Sequence, residues 1–310
     1  MSAQSRLPVR RFWHPRYWPL WAFWLGLHVT HRLPLHWQVA IGRRIGDVLY
    51  AGLRRERRAA ARNLEICFPD KSPDEHGRLL REHFAAIGIS FLEMGIGWFA
   101  PIARLRRLIR ITGREHLDAA LARGGPLLLW GAHFTTLEVG VAILEDLCDH
   151  CACMFRPQKN AMLDAMIRCG RSRFAVEQIP RDDVRRLLKH LKGNGVVVYF
   201  PDQTYLGNQS AMLSFFGEPA LTNTATTKLA AMTGATVLTY FYRRRPDSTG
   251  YELEIGPPLR GIPSHDAVAD AAKLFGALER FIELAPEQYF WTYKKFKRRP
   301  APFSDPYQRT

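Results

Sequence analysis

The chain has 310 residues, room for about two average domains or one large one with an appended arm. With 47% hydrophobic and 24% charged residues, its composition excludes disordered, collagen-like and low-complexity classes. A formal charge of +15 demands an anionic partner, whether nucleic acid, anionic lipid or an acidic protein. The five cysteines are an odd count in a chain too long to need staples. They favour reduced thiols in a cytosolic setting over a disulfide framework and argue against secretion.

The charge is concentrated at the N-terminus. Residues 1–62 hold twelve Arg and no Lys against Asp47 and Glu56, a net charge of +10, together with five of the eight Trp (Trp13, Trp18, Trp21, Trp24 and Trp37). Indole rings and guanidinium groups together suit a lipid headgroup region, since the first bury an apolar body and the second find phosphate. Residues 17–29 (YWPLWAFWLGLHV) are apolar for only thirteen positions, whereas a helical span needs about twenty. Cleavage-site residues of a signal peptide are missing, and Arg6, Arg10, Arg11 and Arg16 ahead of the stretch are matched by Arg32, Arg43 and Arg44 behind it. His and Pro nearby could extend the stretch to Pro34 at some cost, and residues 1–36 read as an embedded membrane anchor, with both flanks on the cytoplasmic side. The alternative is that the aromatics form the core of a helical subdomain.

Helical periodicity runs over 37–67 and stops at Pro69; a second amphipathic run over 74–99 stops near Pro101. The pattern then changes to short β-rich runs at 126–130 (PLLLW), 151–155, 196–200 (VVVYF), 236–242 (TVLTYFY) and 251–255, separated by helical stretches such as 137–147 and 182–192. Near-continuous apolar strands alternating with helices predict an α/β fold with a mixed, largely parallel central sheet flanked by helices. Residues 37–310 read as one domain, with a helical entry over 37–110 and an α/β core over 111–310.

Chemistry in such folds gathers where strands end. After PLLLW comes Gly131-Ala132-His133-Phe134-Thr135-Thr136-Leu137-Glu138, and after VVVYF comes Pro201-Asp202-Gln203-Thr204. The sequence contains no G-x-S-x-G, Walker, G-x-G-x-x-G or H-E-x-x-H motif, which counts against serine hydrolases, NTPases, dinucleotide enzymes and zinc proteases. Five residues on a helix is about 140° of rotation, so His133 and Glu138 cannot pair within one regular helix. If Thr135 is the N-cap and Glu138 the N3 residue, the carboxylate can return to an imidazole preceding the helix and orient it as a general base. Equally, Thr135-x-x-Glu138 is a capping box in its own right, with His133 a turn residue.

His133-x4-Glu138 resembles the H-x4-D/E motif of the glycerolipid (lysophospholipid) acyltransferase superfamily. The surrounding chain resembles its late-acyltransferase branch in lipid A assembly, the lauroyl/myristoyl (HtrB-like) enzymes. The resemblance rests on blocks in order along nearly the whole sequence: Arg62-Asn63-Leu64 with Cys67-Phe68-Pro69, Arg81-Glu82-His83-Phe84, Leu92-Glu93-Met94, Phe155-Arg156-Pro157, Pro201-Asp202-Gln203, Phe215-Phe216-Gly217, Ala225-Thr226-Thr227, and Pro286-Glu287-Gln288-Tyr289-Phe290-Trp291.

The resemblance implies transfer of a fatty acyl chain from acyl carrier protein to a hydroxyl of a Kdo-bearing lipid A precursor, at the cytoplasmic face of a bacterial inner membrane. It implies no cofactor, no metal and no covalent acyl-enzyme. His133 would be the base and Glu138 its orienting acid. Arg156 would serve the oxyanion, with turn N–H groups near Phe134, or bind a lipid phosphate; structurally it could instead pair with Asp202. Asp202, with Gln203 beside it, matches the acidic residue that orients acceptor or active-site Arg. The sequence departs from the pattern just beyond, where Thr204, Tyr205, Leu206 and Gly207 replace a second acid and Tyr-Gly, which leaves acceptor detail open. The Glu of the motif leans toward the lauroyl type.

The cluster Cys148-Asp149-His150-Cys151-Ala152-Cys153 is not read as a zinc site, because no second ligand pair completes a tetrahedron; Cys151 and Cys153 alternate like a buried strand face. The runs 243–245 and 294–299 read as solvated basic faces able to dock an acidic carrier protein or phosphates. Acylation of another membrane glycolipid, a lysophospholipid or an ornithine lipid is the alternative within the superfamily. A non-enzymatic anionic-lipid or nucleic-acid-binding protein is the alternative outside it, although no nucleic-acid-binding signature is present.

Overall fold

Residues 7–172 and 176–308 are described in this computed structural model; Arg6 lies outside them. Helix α1 (Trp18–Thr30) carries Pro at its first turn, where the ring's fixed φ suits a helix start. It is 13 residues long, about 20 Å of rise against a hydrocarbon core of about 30 Å. No helix among the described residues is long and apolar enough to cross a membrane.

The single helical run expected over 37–67 is two helices, α2 (Leu35–Gly52) and α3 (Arg54–Cys67). Leu53, at φ −90° and ψ 65°, breaks them apart directly after Gly52, a poor helix former. Helix α3 stops before Phe68, which Pro69 keeps out of the helical region. Helix α4 (Pro73–Phe99) opens with a full capping box between Ser72 and Glu75 and ends at the extended Ala100, ahead of Pro101.

Helix α2 crosses α4 at close range through three glycines. A Cβ on Gly88 would lie 2.1 Å from the Gly42 carbonyl oxygen and 2.3 Å from the Gly46 nitrogen, so only hydrogen fits. The Gly88→Val variant is expected to separate the two helices and lower stability by about 1–3 kcal/mol or more, read as a fall in the denaturant midpoint; an unchanged midpoint would refute the tight crossing.

From there the chain alternates. Helix α5 (Ile102–Leu108) leads into β1 (Ile109–Thr112), followed by α6 (Arg114–Arg123), β2 (Leu127–Trp130), α7 (Leu137–Ala142), α8 (Leu144–Leu147) and β3 (Cys151–Phe155). Next come α9 (Ala161–Arg171), β4 (Glu177–Pro180), α10 (Val184–Lys192) and β5 (Val196–Tyr199). A hairpin, β6 (Ser210–Phe215) and β7 (Glu218–Asn223), precedes α11 (Ala225–Thr233), β8 (Thr236–Arg244), β9 (Tyr251–Ile255) and α12 (Ala267–Leu284).

The sheet has seven strands in the order β1-β9-β8-β2-β5-β3-β4, and the hairpin stands apart. Every neighbouring pair is parallel except β8 with β9, so the sheet is mixed and largely parallel. All four residues of β2 are buried, as a central strand covered on both faces requires.

The five strands expected from sequence are present. Four strands lie outside that expectation: β6 and β7 of the separate hairpin, and β1 and β4, which are the sheet's edges, with half-polar sequences (IRIT, EQIP).

The N-terminal aromatics divide between the two readings offered for them. Phe12 is buried with Met162 and Met166 of α9, and Tyr17, Trp21 and Trp24 pack on that cluster. Trp13, Trp18 and Trp37 are 72%, 60% and 58% exposed.

The expectation of reduced thiols needs correction at one place. The turn between α8 and β3 brings the Cα atoms of Cys148 and Cys151 to 6.2 Å, and the two are disulfide-bonded. Cys67, Cys153 and Cys169 are free thiols. Among the described residues, no group of three or more His, Cys, Asp or Glu could hold a metal.

Candidate active site

Strands β2, β5 and β3 are consecutive in the sheet and parallel, so the turns that follow them share one edge. His133 stands three residues beyond β2, Asp202 three beyond β5, and Arg156 directly after β3. The turn after β2 can pass close to its neighbours only because residue 131 is glycine: a Cβ there would sit 2.6 Å from the Phe200 ring and 2.7 Å from the Tyr240 carbonyl oxygen.

The sheet thereby joins two residues 69 apart in sequence. Asp202 Oδ1 is 2.6 Å from His133 Nδ1, and Asp202 Oδ2 accepts the His133 backbone N–H at 3.1 Å. A carboxylate only accepts, so Nδ1 carries the proton and Nε2 is the basic nitrogen. The imidazole side chain is 32% exposed, whereas that of Asp202 is 2% exposed. Burial disfavours the imidazolium, but the charge and hydrogen bond of Asp202 outweigh it against opposition from Arg171, and the His133 pKa is raised from its ordinary value of 6.5. Burial likewise pushes the Asp202 carboxyl up, and the His133 interactions bring its net shift below the ordinary value.

The chain's C-terminal portion clamps this turn. Phe134 and Tyr289 form an isolated antiparallel bridge: the Thr135 N–H donates to the Gln288 carbonyl at 2.8 Å and the Phe290 N–H to the His133 carbonyl at 3.1 Å. Tyr289 donates its hydroxyl to Asp202 Oδ2 at 3.1 Å. Lys295, buried, donates to the Asp202 carbonyl oxygen at 2.7 Å, and burial brings its pKa down to about 8. Asp202 is thus held at both carboxylate oxygens and at its backbone.

The pairing expected between His133 and Glu138 is not formed, nor is the alternative capping box. Helix α7 starts one residue later than expected: Thr136 is its N-cap and makes no side-chain cap bond, and the Thr135 hydroxyl is buried without a partner. The Glu138 carboxylate points instead at α9 and α4. Arg171 donates to it from Nε at 3.1 Å and also from a terminal nitrogen, and the Trp98 indole N–H donates at 2.8 Å. Burial disfavours both charges, yet each stabilises the other, so the Glu138 pKa falls and that of Arg171 rises.

Arg156 is exposed and forms no ion pair with Asp202, whose carboxylate is occupied by His133 and Tyr289. With β5 between them, strands β2 and β3, which lead to His133 and Arg156, are two strand spacings apart, about 10 Å. Gln203 is half-buried beside Asp202. Turn N–H groups near Phe134 are expected from sequence to help an oxyanion; of those flanking it, the His133 and Thr135 N–H groups already donate to Asp202 and Gln288.

The basic runs are only partly solvated: Arg298 is exposed and Arg245, Lys294 and Lys297 are half-buried, while others are tied inward. Arg244 is buried in an ion pair with Glu93, Arg243 pairs with Glu252, and Arg299 with Glu218. Lys295 lies under Asp202.

Sequence reasoning passed over Tyr289, Lys295, Arg171 and Trp98. Tyr289 stood inside the quoted C-terminal block, which was its only signal.

A basic imidazole nitrogen at the edge where parallel strands β2 and β5 end, with its other nitrogen tied to a buried carboxylate, is an arrangement suited to accepting a proton from an oxygen nucleophile. Residues 9–298 match the family model described as bacterial lipid A biosynthesis acyltransferase, and the chain belongs to that family. It is 34% identical to the lipid A biosynthesis lauroyltransferase of Escherichia coli strain K12, over 93% of this chain and 94% of that one. It is also 34% identical to the palmitoleoyltransferase of the same strain over 94% of this chain and 95% of that one, and 24% identical to its myristoyltransferase over 97% and 93%.

Proposed function

We propose that this acyltransferase moves a fatty acyl chain from acyl carrier protein to a hydroxyl of a Kdo-bearing lipid A precursor, with His133 as general base and Asp202 as the group that orients it. The observation that carries this reading is the 2.6 Å contact between His133 Nδ1 and Asp202, which leaves Nε2 as the proton acceptor at a partly open site.

The steps follow from that geometry. His133 Nε2 takes the proton of the acceptor hydroxyl as its oxygen bonds to the thioester carbon. The resulting imidazolium is stabilised by Asp202. Collapse of the tetrahedral intermediate breaks the carbon–sulfur bond, and the thiolate leaves with the proton returned by His133. No acyl-enzyme forms. Base assistance of this kind is worth about 10² to 10⁴ in rate.

Glu138 acts one step removed: it fixes Arg171, a buried guanidinium whose charge reaches His133, and the Trp98 indole. Arg156 and Gln203, on the same strand edge, are the groups for a phosphate or other polar part of a substrate rather than for the imidazole itself.

Two exposed stripes support a lipid-facing arm at the cytoplasmic leaflet of the inner membrane. Trp18, Leu25 and Val29 are more than half exposed on α1, as are Trp37 and Val48 on α2. Their spacings of four, seven and eleven place each set on one helix face. The arm then lies in the interface rather than crossing it.

The test is transfer in vitro with two donors, acyl carrier protein and coenzyme A thioesters of the same chain, read by mass spectrometry of a Kdo-bearing tetraacylated lipid A precursor. One added acyl group with the carrier-protein donor is expected. Transfer from coenzyme A alone, or only to a lysophospholipid, would overturn the assignment.

A further inference from the structure

Between the end of α1, the end of α4 and the start of α5 lies an open cleft of about 670 Å³, lined by His28, His31, Arg32, Phe99, Pro101 and Arg104. Its lining holds four basic side chains and no carboxylate. Among the described residues neither Arg32 nor Arg104 has an ion-pair partner. Arg104 is instead fixed by main-chain carbonyls, donating to those of His31 and Leu33, so its orientation is set while its charge stays uncompensated. The rings form a floor: His28 stands 4.9 Å from Phe99 and 5.5 Å from His31, and His31 stands 5.7 Å from Phe99. His31 is 6% exposed, and its Nδ1 is buried without a hydrogen-bond partner. Two guanidinium groups without ion-pair partners among the described residues, beside two imidazoles in one cleft, are chemistry for an oxyanion.

Position identifies which anion. His28 and Val29 stand three and four residues after Leu25 on α1, so His28 shares a helix face with apolar side chains that are 62% and 53% exposed, and Arg32 follows just beyond the helix end. An anion bound there is attached to something greasy. Phe99 directly follows Trp98, whose indole holds Glu138, so the cleft adjoins the aromatic layer that backs the acyl-transfer site.

We infer that the His28, His31, Arg32 and Arg104 cleft binds the phosphate of a membrane lipid headgroup. The inference rests on the reading of α1 as lipid-facing and deepens it from a greasy contact to a site with a specific ligand class. The bound phosphate belongs to a bilayer lipid, bulk or acceptor, rather than to free phosphate in solution. It registers the arm at headgroup depth and holds the transfer site at the same level.

The experiment is flotation of the full chain with phosphatidylcholine vesicles and with vesicles in which a minority of the lipid is phosphatidic acid. Wild type is expected to bind both and to prefer the second. Arg32→Gln is expected to reduce that preference about fivefold, with a further loss in the Arg32→Gln/His28→Gln double variant. Arg10→Gln, which removes the same charge from an exposed position on the arm outside the cleft, is expected to reduce it by less. Binding to phosphatidylcholine is expected to persist in all variants. Equal losses from Arg32→Gln and Arg10→Gln would mean a diffuse field and overturn the site. Displacement by inorganic phosphate at matched phosphate concentration would make free phosphate the ligand and overturn the lipid assignment. Failure of wild type to bind either vesicle would instead bring down the lipid-facing reading of α1, a result distinct from the other two.

Discussion

Acyl transfer by the His133→Ala variant falls by about 10²–10⁴-fold, the range that loss of a general base produces. Its fold is expected to remain intact. The imidazole is partly open and its one side-chain hydrogen bond is to Asp202, so its removal leaves no large cavity in the sheet. The deficit appears in kcat rather than KM, because a proton acceptor acts in the transition state and adds little to ground-state binding. Transfer at the wild-type rate by this variant would exclude His133 from the chemistry.

Asp202→Asn produces the second large effect, and it has a pH signature. In the wild type the carboxylate raises the imidazole pKa above 6.5. The base is neutral only above that pKa, so activity declines as pH falls through it. The amide keeps the shape but removes the charge. Burial then dominates, the imidazolium is disfavoured, and the acid limb of kcat/KM moves to lower pH. The maximal rate drops nonetheless, by a factor on the order of 10² or more, because the proton is no longer held on Nδ1 and the imidazolium loses its counter-charge.

Glu138→Gln gives the contrasting profile. It strands the buried Arg171, costing about 3–5 kcal/mol of stability, and leaves the acid limb governed by the His133–Asp202 pair. An acid limb displaced by Glu138→Gln to the extent expected of Asp202→Asn would restore Glu138 as the orienting acid.

The fold's centre was legible because its signal is local: β2 and β5 are unbroken apolar runs, and a strand buried on both faces cannot be written otherwise. The edges β1 and β4 carry polar residues because one side of each faces no neighbour, and nothing in IRIT or EQIP distinguishes them from loop. Helix α4 was legible to within a residue from its amphipathic run over 74–99 and the stop at Pro101, while the Ser72–Glu75 capping box at its start was not read.

At the site, His133 and Asp202 were each legible as residues on turns after apolar strands, but their pairing was not. It depends on β2 lying beside β5, a fact of sheet order that spacing along the chain does not contain. Five-residue proximity suggested Glu138 instead, yet α7 starts at Leu137 and carries that carboxylate toward α9 and α4, where Arg171 and Trp98 hold it. Tyr289 and Lys295 act on Asp202 from 87 and 93 residues away, distances at which no pattern in the sequence operates.

The relation between His133 and Asp202 is measured most directly by the imidazole itself. In the protein labelled with ¹⁵N at histidine, the His133 signals, assigned by their loss in His133→Gln, are expected to show the Nδ1–H tautomer and a pKa above 6.5, lowered in Asp202→Asn. A His133 ring that titrates at or below 6.5 and is indifferent to Asp202→Asn would contradict the account.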